Sequence, residues 1–264
     1  MRVRLALLVC LAVASLFLSL MAQEMSSPKE VNANPSESGR NIHSKKGKSV
    51  KVVLLKSWGV GSVWADLKIN WNDYGNTPLV IDDTSFVNSD FTYQDLVRSK
   101  ADVIVISNAA GGNQAYSQAE AAAVAAYTAK GHSATGTYEV FQYSTTDNRA
   151  LAPVFGLDPT LEYTHAQISN LFYKVKSEEC LFTRISGNSW QSYGYDYSQV
   201  PASGSWSGNL DHATSVAESD SYVGVITLYQ SRRYVGVYVS NFPEYYGGAD
   251  DEQLLYNACT CYVK

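Results

Sequence analysis

The hydrophobic positions after residue 50 mark a series of short buried strands. Residues 50–58 and 101–108 are almost continuously apolar, and runs of this length are typical of strands that are covered on both faces. Residues 78–83 and 132–138 form two shorter strand segments bounded by turn residues. These four segments predict a sheet that is buried on both sides.

Helical signals lie between the predicted strands. Residues 91–100 predict a short helix, and residues 117–131 predict a longer one. Ser117 and Glu120 have the spacing of a capping box at the start of the longer helix, and Gly131 ends it. Alternating strands and helices require right-handed crossovers and parallel pairing. We therefore predict an α/β domain with an open, mostly parallel, flavodoxin-like sheet and helices on both faces.

The pattern is less regular in the second half of the chain. Residues 181–185 predict a strand, and residues 187–209 predict a long loop because they are rich in glycine, serine and aromatic residues. The aromatic side chains of that loop either stack on sugar rings or cover the core. Residues 222–230 and 232–240 predict an antiparallel hairpin near the C-terminus, and residues 250–263 predict a closing helix.

The first residues predict a targeting segment. Residues 1–22 combine Arg2 and Arg4 with an apolar run, as in a secretory signal peptide, and retention as a membrane anchor is the alternative. Residues 23–49 contain few large apolar side chains and predict a disordered linker. We expect a secreted, extracellular protein whose folded domain, residues 50–264, does not contact a membrane after signal cleavage.

Composition narrows the classes of partner. The net charge is −5, and an acidic chain lacks the basic face that phosphate binding needs, so we expect no nucleic-acid partner. The 19 tyrosines and 5 tryptophans suit the binding of small polar ligands such as sugars. Cys180 can pair with Cys259 or with Cys261, and no histidine lies at ligand spacing from the cysteines. We therefore predict neither a metal site nor a cofactor, and the sequence predicts no oligomeric state.

Three segments resemble the class I glutamine amidotransferase-like superfamily, in particular its trehalose-utilisation-type branch. Residues 102–112, DVIVISNAAGG, resemble the strand and glycine-bearing loop that supplies the oxyanion hole. Residues 125–141 resemble the helix, turn and strand that lead into the nucleophile elbow. Residues 232–258 resemble the hairpin strand, the His-Pro-Glu motif and the final helix. The resemblance implies that superfamily's α/β fold, with a site at the carboxyl ends of the parallel strands.

The residues that perform the chemistry of that superfamily are replaced in this chain. Tyr138 stands where the cysteine nucleophile is expected, and Val140 replaces the second glycine of the elbow. Phe242 stands where the motif has its histidine, and Glu244 matches the third member. Because a phenyl ring cannot accept a proton, the resemblance implies a degenerate catalytic triad and no glutamine amidotransferase activity.

Three side chains remain as candidates for catalysis. Tyr138 is either a general acid or nucleophile, or a packed aromatic side chain. Glu139 and Glu244 either divide acid and base roles, as in glycoside cleavage, or have structural roles. A hydrolase that acts on glycans is therefore one alternative function, and a purely structural extracellular protein is another.

The carboxyl edge of the predicted sheet is where a ligand is expected to bind. The residues predicted to bind it are Trp58, Asn108, Gly111, Gly112, Thr137 and Phe242. The loop that holds Gly111 and Gly112 either presents backbone amides to an anion or a carbonyl oxygen, or forms a plain turn before the next helix. The leading hypothesis is a secreted amidotransferase-like domain that binds a small polar or carbohydrate ligand, or a partner, at this edge.

Overall fold

The computed structural model describes residues 48–58, 62–168, 171–176, 179–192, 197–202, 212–220, 222–246 and 248–263. The predicted signal peptide, residues 1–22, and the predicted linker, apart from Lys48 and Ser49, lie outside the described residues and stay predictions. No helix in the described part of the chain is long and apolar enough to cross a membrane.

Strands and helices alternate through the first half of the described chain, as predicted. The strands are β1 (Val50–Leu55), β2 (Leu79–Phe86), β3 (Val103–Ser107), β4 (Ser133–Thr137), β5 (Gln142–Tyr143), β6 (Thr146–Asp147), β7 (Tyr163–Gln167), β8 (Leu171–Lys174), β9 (Ser189–Gln191), β10 (Tyr197–Pro201), β11 (Thr214–Glu218), β12 (Val223–Gln230) and β13 (Val235–Val239). The helices are α1 (Ser62–Tyr74), α2 (Tyr93–Ser99), α3 (Gln118–Thr128), α4 (Pro243–Tyr246) and α5 (Ala249–Thr260), with 3₁₀ helices at Arg149–Phe155 and Cys180–Phe182.

Within the described residues, the central sheet has nine strands in the order β2-β1-β3-β4-β13-β12-β11-β8-β9. The strands from β2 to β13 in this order pair in parallel, and the remaining pairs are antiparallel. β12 and β13 form the predicted hairpin, in which Gln230 pairs with Val235. The predicted α/β fold class, with a largely parallel sheet and a C-terminal antiparallel hairpin, is confirmed.

Alternate side chains of the parallel strands face two separate cores. Val53 and Ile104 belong to the core that α2 and α3 cover, whereas Val52 and Val103 belong to the core that α1 and α5 cover. Successive side chains of a strand point to opposite faces of the sheet, so β1 and β3 need apolar residues at consecutive positions. Helices therefore cover both faces, as predicted.

Local sequence signals set the ends of two helices. At α3 the amide of Glu120 donates to the Ser117 hydroxyl at 3.2 Å, and the Ser117 amide donates to the Glu120 carboxylate at 2.8 Å. This is the predicted capping box. Thr92 and Asp95 form the same reciprocal pair at the start of α2.

Three features differ from the sequence prediction. Helix α1 was not predicted. Its backbone is non-helical at Asn70, so its apolar residues do not follow one regular helical face. The predicted strand at residues 181–185 is wrong, because its apolar side chains are buried by the 3₁₀ helix Cys180–Phe182 and the turn after it. The predicted loop, residues 187–209, contains strands β9 and β10.

A disulfide joins Cys180 to Cys261 and leaves Cys259 free and buried. The sequence had left this pairing open. The bond ties the 3₁₀ helix Cys180–Phe182 to the end of α5, across a sequence separation of 81 residues.

Strands β7 and β10 pair with each other in a separate two-stranded antiparallel sheet, here called the ribbon. Gln199 on β10 holds the ribbon against the carboxyl edge of the main sheet. Its amide donates to the Ser240 carbonyl at 3.0 Å, its side-chain oxygen accepts from the Phe141 amide at 2.9 Å, and its side-chain nitrogen donates to the Gln142 carbonyl at 2.6 Å. The ribbon thereby brings its own side chains to the ends of β4 and β13.

Candidate functional site

The carboxyl ends of β1, β3, β4 and β13 lie side by side in the sheet. Trp58, Asn108, Tyr138 and Phe242 each lie one to three residues beyond the end of one of these strands. Because parallel strands end at the same edge, the fold brings these sequence-predicted residues together. This edge is the candidate site.

Tyr138 lies at the sharpest turn of the edge. Its φ is +54°, in the left-handed region that side chains other than glycine rarely adopt. The turn is held by its amide, which donates to the Val239 carbonyl at 2.9 Å, and by the Val140 amide, which donates to the Tyr138 carbonyl at 2.9 Å. A strained turn of this kind is where nucleophile elbows carry their reactive residue.

The aromatic side chains of the edge form a continuous stack. The rings of Tyr138 and Phe242 lie 5.6 Å apart at 10° to each other. Trp58 stacks on Phe242 at 6.4 Å, and His165 of the ribbon stacks on Tyr138 at 5.8 Å. Tyr143 stacks on His165 at 5.2 Å. The inner rings of Tyr138 and Phe242 are buried, whereas Trp58 is 48% exposed and Tyr143 is 40% exposed.

Glu139 follows Tyr138 and turns its buried carboxyl group towards the ribbon. Its Oε1 contacts Nε2 of His165. Burial raises the pKa of Glu139 to about 8, because an ionised carboxylate loses its hydration there, and burial lowers the pKa of His165. Both shifts favour the neutral forms of the two side chains.

Glu244 lies beneath the edge and is fully buried. Its Oε1 accepts hydrogen bonds from the hydroxyl groups of Ser107 and Thr137, at the ends of β3 and β4. Its Oε2 has no hydrogen-bond partner among the described residues. Burial raises the pKa of Glu244 to about 7. The Thr137 hydroxyl therefore faces the interior, and the predicted ligand contact of Thr137 stays a prediction.

The glycine loop after β3 folds back on itself. The Gly111 amide donates to the Glu139 carbonyl at 3.4 Å, and the Gly112 amide donates to the Asn108 carbonyl at 3.0 Å. These amides are directed into the loop, as in the plain turn that the sequence left open beside the presentation of amides to an anion. Side chains crowd the loop, since a Cβ atom on Gly112 would lie 2.1 Å from Cβ of Trp58.

No sequence motif indicated His165 or Tyr143, which line the site, whereas Tyr197 belongs to the predicted aromatic loop, residues 187–209. Tyr197 lies 6.0 Å from the His165 ring and is 40% exposed. The pairing of β7 with β10 places His165 and Tyr197 here, and Tyr143 comes from β5. Trp190, from the predicted aromatic loop, is buried in the core against Phe172. The other predicted aromatic residues of that loop, at positions 193, 195 and 206, lie outside the described residues.

Solved structures support the fold that the sequence resembles. A ThuA-like protein from Bacteroides uniformis has a TM-score of 0.50 and 13% identity, over 83% of this chain and 94% of that chain. A ThuA-like protein from Parabacteroides merdae has a TM-score of 0.48 and 7% identity, over 80% and 88%. A glutamine amidotransferase from Methylobacillus flagellatus has a TM-score of 0.39 and 12% identity, over 74% and 70%.

No protein-family model matches this sequence, and no curated protein matches it. The ThuA-like protein from Bacteroides uniformis has the α/β fold that the sequence resemblance implies, so the predicted resemblance is confirmed at the level of the fold. At these identities the likeness shows the fold alone. The chemistry must be argued from the candidate site.

Proposed function

We propose that this protein is an exported domain of amidotransferase-like fold that binds a small polar or carbohydrate ligand at the carboxyl edge and does not hydrolyse glutamine. The observation that carries the proposal is the contact between the rings of Tyr138 and Phe242, 5.6 Å apart. On this proposal, two aromatic side chains occupy the positions where a thiol and an imidazole would have to meet.

No reactive thiol is available at the edge among the described residues. The free cysteine, Cys259, is buried in α5, and burial raises the pKa of its thiol to about 12. Only a thiolate attacks a carboxamide efficiently, and a thiol with this pKa stays protonated at neutral pH. His165 stacks on Tyr138, but an imidazole without a thiol beside it cannot form an acyl-enzyme.

Exposed aromatic rings support the binding of a ligand. Trp58, Tyr143 and Tyr197 flank the buried rings of Tyr138 and Phe242, and each is between 40% and 48% exposed. Half-exposed rings beside a buried carboxyl group provide a flat apolar surface together with a polar group that fixes the orientation of a ligand.

The absence of amidotransferase activity is tested by incubating the purified protein with glutamine and measuring ammonia. We expect no release above the rate of a heat-denatured sample and no labelling of the native protein by thiol-reactive glutamine analogues. Tyr138→Cys is the matched variant for the labelling step, because it places a thiol at the elbow. Ammonia release by the unmodified protein would reject the proposal.

Ligand binding is tested by screening a library of small polar molecules and oligosaccharides by ligand-observed NMR. We expect hits whose signals are lost in Trp58→Ala. Ile69→Ala is the matched control, because Ile69 is a 74%-exposed hydrophobic residue on α1 and is not part of the edge. Hits that survive Trp58→Ala, or a library without hits, would contradict binding at this edge.

Export is the part of the proposal that concerns the N-terminus. The Cys180–Cys261 disulfide supports it, because structural disulfides persist in oxidising compartments. N-terminal sequencing of the protein from its native culture should find a chain that begins close to Gln23. A chain that retains residues 1–22 in the membrane fraction would favour an anchor.

A hydrolase remains the second candidate, because the pKa of Glu139 is raised to about 8. A carboxyl group protonated at neutral pH can donate a proton to a leaving group. Glu244 is fully buried, so His165 is the better placed partner for Glu139. If a panel of chromogenic glycosides contains a substrate, Glu139→Gln should abolish its turnover, while Glu162→Gln, at an exposed position, should not. Unchanged turnover in Glu139→Gln would remove this candidate.

A further inference from the structure

Two acceptor oxygens converge above Gly111. Oε2 of Glu139 and Oδ1 of Asn108 lie 1.9 Å and 2.0 Å from the position that a Cβ atom on Gly111 would occupy. Asn108 is 2% exposed, and its Oδ1 has no hydrogen-bond partner among the described residues. A buried acceptor without a donor is unfavourable, so a ligand that brings a donor to this point would be stabilised there.

The nearby donors of the loop are directed elsewhere. The amides of Gly111 and Gly112 donate to the carbonyl groups of Glu139 and Asn108. An anion at this point would face a carboxyl group and an amide oxygen instead of two N–H groups. The polarity of the loop is therefore opposite to that of an oxyanion hole, and it favours a positively charged donor over an anion.

An aromatic side chain packs on the glycine that follows Gly111. The Trp58 side chain covers Gly112, since a Cβ atom there would lie 2.1 Å and 2.4 Å from Cβ and Cγ of the indole side chain. Trp58 is 48% exposed, and it stacks on Phe242. The face of an indole ring attracts cations, and attracts them more strongly than the other aromatic rings do.

These three features point to one class of ligand. We propose that the edge binds the primary ammonium group of a small organic cation, with Glu139 and Asn108 accepting its N–H hydrogen bonds and Trp58 contacting it through the indole face. This inference rests on the proposed binding at the carboxyl edge and specifies the charge and the donor group of the ligand. Gly111 permits the contact, because any side chain there would collide with both acceptor oxygens.

The experiment compares three probes of similar size and different charge: propylammonium, 1-propanol and propionate. Binding is measured by NMR titration of the protein. We expect propylammonium to bind in the millimolar range and the other two probes to bind at least about tenfold more weakly. Glu139→Gln and Asn108→Ala should each weaken propylammonium binding about tenfold, and Ile69→Ala should not change it.

Asn108→Asp is the control for a folding defect in Asn108→Ala. Aspartate keeps the shape of the side chain and an acceptor oxygen, and it tolerates the positive φ of 43° at this position. This variant should bind propylammonium at least as tightly as the unmodified protein. Propionate binding as tight as that of propylammonium, or unchanged affinity in Glu139→Gln, would overturn the ammonium proposal.

The library screen separates the two proposals. Edge-bound hits without any propylammonium binding would overturn the ammonium proposal and leave the proposed function intact. A library without hits, combined with no binding of the three probes, would overturn both.

Discussion

The parallel half of the main sheet and the ribbon contribute differently to the candidate site. The parallel half supplies the turn at Tyr138, the loop at Asn108 and, on α4 after β13, the buried carboxyl group of Glu244. The ribbon supplies His165 and Tyr197. The parallel half therefore fixes where the site lies, and the ribbon determines which side chains surround it.

The largest expected effect is on the core of the parallel half. Leu54→Ala removes a fully buried side chain between α1 and β3, and we expect the free energy of unfolding to fall by about 4 kcal/mol. Val200→Ala, at a buried position of the ribbon, should cost only about 2 kcal/mol. Urea denaturation measures both, and equal losses would mean that the two regions are equally important for stability.

The second prediction concerns the change of stability with pH, to which a buried carboxyl group contributes and an exposed one does not. Glu244 has an ordinary pKa of 4.5 when unfolded and about 7 when folded, so the folded state binds more protons between these values. The stability that Glu244 contributes is therefore full below about pH 4.5 and falls by about 3 kcal/mol as the pH rises to 7.

Urea denaturation of Glu244→Gln across this pH range should show a correspondingly weaker fall in stability. Glu139 contributes in the same direction up to its own pKa of about 8, so part of the slope should remain. The exposed-site control Glu162→Gln should keep the full slope. Parallel pH profiles in both variants would show that Glu244 is ionised in the folded state.

The third prediction concerns the stability that the disulfide of Cys180 provides to the chain between β7 and β10. Cys180→Ser opens the disulfide to Cys261, and we expect a loss of about 2–3 kcal/mol because the unfolded chain gains conformational freedom. Cys259→Ala keeps the disulfide and should cost about 1 kcal/mol through the cavity it leaves. The measurement is urea denaturation with and without reductant. A reductant that leaves the denaturation midpoint of the unmodified protein unchanged would contradict this prediction.

The smallest expected effect is on ligand affinity, and it involves residues of both the parallel half and the ribbon. The titratable groups near Glu139 are His165 on the ribbon, Tyr138 in the same turn and Tyr238 on β13. Because the pKa of Glu139 is about 8, the ionised fraction of its carboxyl group increases about tenfold with each unit of rising pH below 8, and propylammonium affinity should increase with it. Glu139→Gln should abolish this dependence in NMR titrations, and a pH-independent affinity in the unmodified protein would exclude the carboxylate as the acceptor.

Local signals predicted the parallel half well. Residues 103–106 of β3 are all apolar because both faces of the strand are covered, and the Ser117 cap lies in the sequence next to the helix it begins. The pairing of β7 with β10 was not predicted, because the YTHAQ sequence of β7 contains neither an apolar run nor a regular alternation of apolar and polar residues. The contact between Glu139 and His165 depends on that pairing, so no sequence spacing could reveal it.

The wrong strand at residues 181–185 has a similar physical cause. An apolar pentapeptide suits a strand or a tightly packed turn equally well. The turn forms because the Asn257 side chain donates to the carbonyl groups of Leu181 and Thr183, and because Cys180 is bonded to Cys261. Both partners lie on α5, more than seventy residues away.

The left-handed backbone at Tyr138 also bears on how chemistry could be gained or lost on this scaffold. The turn is held by main-chain hydrogen bonds and by close packing behind it, where a Cβ atom on Gly136 would lie 2.8 Å from the Phe155 ring. Its geometry therefore does not depend on the side chain it presents. One substitution, Tyr138→Cys, would place a sulfur atom beside His165. A non-catalytic protein and a thiol enzyme on this scaffold can therefore differ by a single residue, without any rearrangement of the chain.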